Sequence, residues 1–144
     1  MRDDHALILG RARGRSFLLA ASDLMEIIPP EPVRPLPGTI PGIAGVVLYG
    51  GEFLPTLAWE QLPGPGGSES PTQAMAVLKR RLVLPLEHLD GDLEGELDSW
   101  EQAPPGDDPW ALFLSCQYHV QDLRLPLIDA DKLISWLHDC RGGR

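Results

Sequence analysis

The sequence predicts an all-β fold built from two small lobes, with only brief helices. About nine short apolar runs follow one another along the chain, each of a length typical of a strand. Fifteen glycines and fifteen prolines among the 144 residues separate these runs. Because Gly and Pro end or bend regular structure, this punctuation favours many short strands over long helices. The expected architecture is a β-sandwich or a pair of barrels.

The first elements expected along the chain are a hairpin and a helical turn. Apolar strands are predicted at residues 6–9 and 17–20, on either side of a turn rich in Gly and Arg. Ser22 is suited to cap a short helical turn that runs through Ile28. Pro29 and Pro30 then end that turn.

The segment 35–62 contains the clearest local signal in the chain. Its two apolar runs, 43–49 and 52–59, are separated by Gly50 and Gly51. Both glycines can adopt positive φ without a Cβ clash, which favours a two-residue hairpin turn. Pro55 lacks an N–H, so it should face a sheet edge or a bulge. The segment therefore predicts a short twisted β-ribbon on which a partner could dock.

Loops and acidic residues dominate the middle of the chain. Residues 63–72 (PGPGGSESPT) and about 101–109 are expected to be flexible loops, the first of them a candidate linker between lobes. Strands are predicted at 75–78 and 82–86. The Leu-rich acidic stretch that follows, 87–100, fits an irregular strand with an acidic outer face better than a helix, because Gly91 and Gly95 interrupt it.

The C-terminal part is expected to form the last strands and one helix. Strands are predicted at 110–116, 118–120 and 123–127. Asp129 or its neighbour is expected to cap a helix from about 130 to 138. Leu133, Ile134 and Leu137 would form the apolar face of that helix.

Charge is unevenly distributed. The formal net charge is −9, and residues 87–108 alone hold nine acidic side chains and no Lys or Arg. The rest of the chain is neutral, with twelve acidic and twelve basic residues. A net acidic chain repels phosphate backbones, so nucleic acid is not an expected partner. No apolar run has the roughly 20 residues that a membrane helix needs, and no secretion signal is apparent, so we expect a cytoplasmic protein.

Three blocks of the sequence, in order, resemble the CheW family of bacterial chemosensory adaptors. The segment Leu24-Met25-Glu26-Ile27 resembles the family's Val-x-Glu-Ile segment. Residues 124–129 and 131–134 resemble its closing strand and short helix. The central block matches the family's hairpin pattern at Pro37, Gly45-Val46-Val47, Gly51, Glu52, Phe53-Leu54 and Pro55. The resemblance covers residues 6–138, which we expect to form a single CheW-like domain with interleaved lobes.

The resemblance implies a fold and a function. The fold would be two five-stranded, SH3-like barrels that share a core. The function would be that of a non-enzymatic adaptor that couples a methyl-accepting chemoreceptor to a CheA-type histidine kinase. A groove between the lobes would take the receptor's helical hairpin, and strand ends of one barrel would meet the kinase regulatory domain. Carried over by position, the partner-binding residues would be Glu26, Ile27, Gly45, Gly51 and Pro55.

The sequence also departs from the family pattern. Gly50 replaces the usual Arg before the hairpin glycine, so the bidentate, charge-assisted bonds of a guanidinium are lost there. Leu48-Tyr49 replaces Asn-Leu, and Ala58 replaces an Asp. These changes favour a divergent adaptor that has kept only one of its two partners.

No catalytic, cofactor-binding or metal-binding residues are expected. Cys116 and His119 would point to opposite faces of a strand, and His138 and Cys140 would diverge on a helix, so neither pair has zinc-site spacing. The acidic stretch is expected to be a solvated face. Two alternatives remain open: a generic SH3-like peptide-binding module outside chemosensing and, more remotely, a small zinc enzyme.

Overall fold

The computed structural model describes residues 6–38, 40–64, 70–92, 97 and 99–142. Within these residues it contains eleven strands and one α-helix, in agreement with the predicted all-β class. The strands are β1 (Leu7–Ala12), β2 (Arg15–Ala20), β3 (Leu24–Ile28), β4 (Ile43–Tyr49), β5 (Glu52–Leu57), β6 (Ala74–Leu78), β7 (Val83–Leu86), β8 (His88–Asp92), β9 (Glu101–Ala103), β10 (Leu114–Val120) and β11 (Leu123–Ile128), and the helix is α1 (Ala130–Gly142).

The strands form two sheets, and the segment that forms one of them is inserted in the chain between two parts of the other. One sheet has six strands in the order β8-β1-β2-β11-β10-β9, and the other has five in the order β3-β6-β7-β5-β4. The five-stranded sheet is a contiguous insertion between β2 and β8. A parallel pairing of β2 with β11, at Leu18–Leu127 and Leu19–Ile128, joins the N-terminal hairpin to the C-terminal hairpin. The first sheet thus has six strands where the family resemblance implied five.

Strand β2 of one sheet and strand β6 of the other are buried on both faces, because each lobe has its own core and also contributes to a shared one. In β6, Met75 and Val77 point into the core of the five-stranded lobe, whereas Ala76 and Leu78 point into the shared core. This alternation follows from the period of two residues in a strand. It explains why β6 is an almost continuous apolar run rather than an alternating one.

Aromatic rings fill the centre of the shared core. Trp59, from the five-stranded lobe, stacks 5.8 Å from Trp110 and lies 5.0 Å from Phe17, both of which belong to the other lobe. Phe113 and Trp136 extend the cluster toward α1. The indole N–H of Trp59 donates to the Pro85 carbonyl oxygen at 2.5 Å, so its polar atom is satisfied. Trp59 is therefore a core residue and is not exposed to a partner.

The helical turn predicted over residues 22–28 was wrong. A 3-10 turn occupies only Ala21–Asp23, and the chain then continues as β3, paired antiparallel with β6. A helix of seven residues is marginal in isolation. The apolar β3 residues gain more from strand pairing and from burial in the cores.

The bounds of several other predicted elements differ from those in the structure. Residues 101–103, expected in a loop, form β9 against β10. The segment 110–116 begins with a 3-10 turn at Ala111–Phe113 before β10 starts. The segment 63–72 connects elements of the same five-stranded sheet, so it does not separate the lobes; its residues 65–69 lie outside the described chain. In the acidic stretch, β8 is a strand as expected, whereas 93–96 and 98 lie outside the described residues.

The predicted C-terminal helix is confirmed and extends to Gly142. The Asp129 carboxylate accepts a hydrogen bond from the Lys132 backbone N–H at 3.0 Å, as an N-cap does. Leu133 and Leu137 pack into the shared core, with Ile134 beside them. Because α1 follows β11 directly, the helix brings the end of the six-stranded lobe against the five-stranded lobe.

Candidate protein-docking site

The β4–β5 hairpin has the two-residue turn that the sequence predicted. Gly50 and Gly51 adopt φ of +57° and +83°, and Tyr49 pairs with Glu52 across the turn. Positive φ at both central residues is the geometry that matches the twist of the flanking strands. Gly51 is exposed at the tip of the hairpin.

Pro55 fits into β5 without disturbing the β4–β5 ladder. Val46, its partner in β4, directs both backbone groups away from β5, to the N–H and C=O of Arg34 at 2.8 and 2.9 Å. The nitrogen of Pro55 therefore faces β7, which pairs with β5 only at Thr56 and Val83. β5 is an internal strand of the sheet, and Pro55 was expected at an edge or a bulge. Next to Pro55, however, the pairing of β5 with β7 ends, so its nitrogen faces a position without a ladder partner.

Gly45 is required by the close approach of the segment that precedes the hairpin. A Cβ at this position would lie 2.3 Å from the Arg34 carbonyl oxygen and 2.9 Å from Cγ1 of Val33. Gly45 is buried, so its contribution to the site is to allow residues 33–34 to lie against β4. This contact places Arg34 with its guanidinium 5.7 Å from the Phe53 ring, within cation–π range.

Glu26 and Ile27 lie on β3, which forms the opposite edge of the five-stranded sheet from β4. The Tyr49 hydroxyl donates to the Glu26 carboxylate at 2.5 Å, so the sheet curls until its two edge strands approach each other. This hydrogen bond to a carboxylate raises the pKa of Tyr49 above its ordinary value. Ile27 points instead toward the shared core, against which it packs.

An apolar groove of about 190 Å³ lies between the five-stranded lobe and the C-terminal half of α1. Pro55 is the predicted site residue that contributes to it. The groove is bounded by the segment before β4, by β5, by the β6–β7 turn and by α1. It is lined by Leu36, Ile40, Pro41, Ile43, Pro55, Arg80, Arg81, Leu82, Ile134, Leu137 and His138.

The outer face of the β4–β5 hairpin extends from the groove as a second apolar surface. Leu48 and Phe53 are cross-strand partners and are 46% and 55% exposed. Phe53 and Pro55 are two residues apart on β5 and so share this face. We call Leu48 and Phe53 the hairpin face. Exposed apolar residues that adjoin an apolar groove are typical of protein interaction sites.

Ion pairs link the β6–β7 turn to its neighbours at the groove entrance. Arg80 Nε lies 2.7 Å from a carboxylate oxygen of Asp131 on α1, and Arg81 pairs with Glu52 of the hairpin. The hydrogen bond from Arg80 lowers the pKa of Asp131 below its ordinary value. Asp23 behaves oppositely: burial raises the pKa of its carboxyl, although the Ala130 backbone N–H partly offsets this effect.

The sequence predicted site residues on the β4–β5 hairpin, but of the residues that line the groove it predicted only Pro55. Leu36 and Ile40 lie in a Pro-rich segment with no strand pattern, and Arg80 and Arg81 lie between the strands predicted at 75–78 and 82–86, where the sequence indicates only a turn. One signal was available: prolines lack a backbone N–H and so interrupt a continuous ladder, which favours packing of the apolar residues between them against another element.

The cysteines are the residues that raised the zinc alternative. No group of three or more His, Cys, Asp or Glu side chains among them is arranged to hold a metal ion. Cys116 is a free, buried thiol on β10, and burial raises its pKa. The side chain of Cys140 lies outside the described residues.

These features define a class of protein: two interleaved β-lobes around a shared core, with an apolar groove and an apolar hairpin face suited to protein docking. The CheW-like domain family model matches residues 6–138. The chain therefore belongs to the CheW-like domain family, a family of chemotaxis scaffold and adaptor proteins.

A solved structure has the same fold. The scaffolding protein TtCheW from Thermoanaerobacter tengcongensis superposes with a TM-score of 0.72 at 15% sequence identity, over 88% of this chain and 89% of that one. Among curated proteins, none matches the chain significantly. No helix in the described part of the chain is both long and apolar enough to cross a membrane.

Proposed function

We propose that this protein is a non-enzymatic adaptor of a bacterial chemosensory system, acting in the cytoplasm. Its principal partner is the helical hairpin at the cytoplasmic tip of a methyl-accepting chemoreceptor. The observation that carries this proposal is the apolar groove between the five-stranded lobe and α1. A helix that presents one or two apolar side chains could insert them between Leu36, Ile40 and Ile134.

The predicted site residues support this docking in different ways. Pro55 lines the groove itself. Gly45 allows residues 33–34 to pack on β4, which positions the start of the segment containing Leu36 and Ile40. Gly51 and Glu26 shape the hairpin, the first through its turn and the second through its bond to Tyr49. Ile27 supports the docking site indirectly, because it packs against the shared core.

The second partner would be the CheW-like regulatory domain of a CheA-type histidine kinase, docked on the hairpin face. Exposed Leu48 and Phe53 would supply apolar contact area for another barrel. Gly50 contributes no side chain at the position where the family usually has Arg, and the Glu26 carboxylate is already bonded to Tyr49. We therefore propose that receptor docking is retained, whereas kinase docking is weakened or lost.

The test measures binding of the purified chain to a chemoreceptor tip hairpin and, separately, to a kinase regulatory domain by titration calorimetry. Leu36→Asp replaces an apolar side chain of the groove by a charged one and should weaken receptor binding at least about tenfold, since a docked helix would lose an apolar contact and would have to desolvate the carboxylate. Leu123→Asp is the matched control, because Leu123 is 62% exposed on β11 and does not line the groove.

The outcomes separate the proposals. Receptor binding without kinase binding supports a divergent, single-partner adaptor, and binding of both supports a full coupling role. If neither partner binds, the adaptor function is wrong. If Leu36→Asp and Leu123→Asp bind the receptor equally well, the groove is not the docking site.

A further inference from the structure

We infer that the groove selects helices in which an acidic side chain flanks the docking apolar residue. The inference rests on the proposed function and adds the chemistry of the partner. Its basis is the set of charges at the groove. Eight of the described residues that line it are apolar, and the other three are Arg80, Arg81 and His138. None of the described residues that line it is acidic, although the whole chain has a net charge of −9.

The arginines sit where a partner can reach them. Arg80 and Arg81 occupy the exposed turn between β6 and β7, and their side chains are 60% and 59% exposed. Their acidic neighbours, Asp131 and Glu52, lie outside the groove lining and are also more than half exposed. Exposed ion pairs of this kind contribute little to stability, because water screens them. A carboxylate from a docked helix can therefore share the two arginines with Asp131 and Glu52, or replace these acids as their partner, at a small cost in free energy.

The chemistry of the guanidinium favours such sharing. Each guanidinium carries five N–H donors in a fixed fork. Among the described residues, Arg80 donates through Nε to Asp131, and Arg81 through one terminal nitrogen to Glu52. The fork geometry suits a second carboxylate, which can accept two parallel hydrogen bonds.

The backbone at Arg81 adds an independent observation. Arg81 has φ of +67°, in the left-handed region that favours glycine. Its N–H donates to the Leu78 carbonyl at 2.9 Å, which closes the turn. Glycine would satisfy this turn with less strain, so the long cation occupies this position against a backbone preference.

The experiment uses three versions of the receptor tip hairpin, in which the residues that flank the docking apolar residue are Glu, Gln or Lys. The wild-type chain should bind the Glu version most tightly and the Lys version at least about tenfold more weakly, with the difference narrowing at high salt. The double variant Arg80→Gln/Arg81→Asn should lose this preference. Asn is chosen at 81 because it tolerates positive φ better than most residues.

Arg124→Gln is the control, since it removes an exposed positive charge that lies on β11 and outside the groove lining. It should leave the preference intact. Equal binding of the three versions, or a preference that persists in the double variant, would overturn the inference while leaving the proposed function standing. Failure of every version to bind would contradict the proposed function itself, and the inference would fall with it.

Discussion

Replacing Gly45 by Ala is the most informative single change in the hairpin, because it separates a structural requirement from a binding role. The added Cβ would lie 2.3 Å from the Arg34 carbonyl oxygen and 2.9 Å from its carbonyl carbon. Both contacts are with backbone, which cannot rotate away as the end of a flexible side chain can. The segment at residues 33–34 must therefore move off β4.

The energetic cost follows from the two hydrogen bonds that hold this segment. Arg34 donates to and accepts from Val46 at 2.8 and 2.9 Å, and each such bond contributes about 0.5–1.5 kcal/mol net. Losing both lowers the free energy of unfolding by about 1–3 kcal/mol, the range expected for overpacking a tight site. This is a substantial part of the roughly 5–15 kcal/mol that stabilises a typical domain. The melting temperature should fall by about 3–10 °C.

Urea unfolding followed by tryptophan fluorescence measures this change, because the core indoles report loss of the shared core. Gly91→Ala is the matched control: Gly91 is exposed on β8, and its added Cβ would meet nothing within 4 Å. Its midpoint should match that of the wild type. If Gly45→Ala unfolds at the same urea concentration as Gly91→Ala, the close approach of residues 33–34 to β4 is not a stabilising contact.

Two further predictions concern buried or partly buried carboxylates. The pKa of Asp23 is raised in the folded state. Between the ordinary pKa and the raised value, the folded state therefore binds more protons than the unfolded state. The free energy of unfolding then falls as the pH rises through that window. Asp23→Asn should therefore stabilise the fold at pH 7 relative to its effect at pH 3, as measured by melting temperature; a pH-independent effect would contradict this reasoning. Glu87 accepts the Arg13 backbone N–H at 2.6 Å and the Gly14 N–H at 3.2 Å at the β1–β2 turn. Glu87→Ala should cost about 1–3 kcal/mol in urea unfolding, and a loss below about 0.5 kcal/mol would show that water replaces the carboxylate there.

The shared core gives the groove a rigid floor. Leu82 and Leu137 belong both to that core and to the groove lining, and each is less than a tenth exposed. A helix docked in the groove would therefore rest on side chains already fixed by packing. Such preorganisation reduces the entropy lost on binding.

Elements whose geometry is set by neighbouring residues could be predicted from the sequence. The Gly50-Gly51 turn is one, since positive φ at two adjacent positions is a property of glycine itself. The cap at Asp129 is another, because its partner lies three residues away. Where pairing across the chain decided the structure, the predictions were wrong. Residues 24–28 form a strand because β6 offers them a partner, and residues 101–103 form β9 because β10 does.

By itself, then, the sequence determined the β class, the hairpin, the closing helix and the family resemblance, all of which depend on local conformational preference and on motif order. Only the tertiary structure decided which strands share a sheet and which side chains meet at the groove. Leu36, Arg81 and Ile134 are far apart in the chain and carry no common pattern. They come together because burial of the shared core docks α1 against the five-stranded lobe, and the free energy of that packing is a property of the assembled fold.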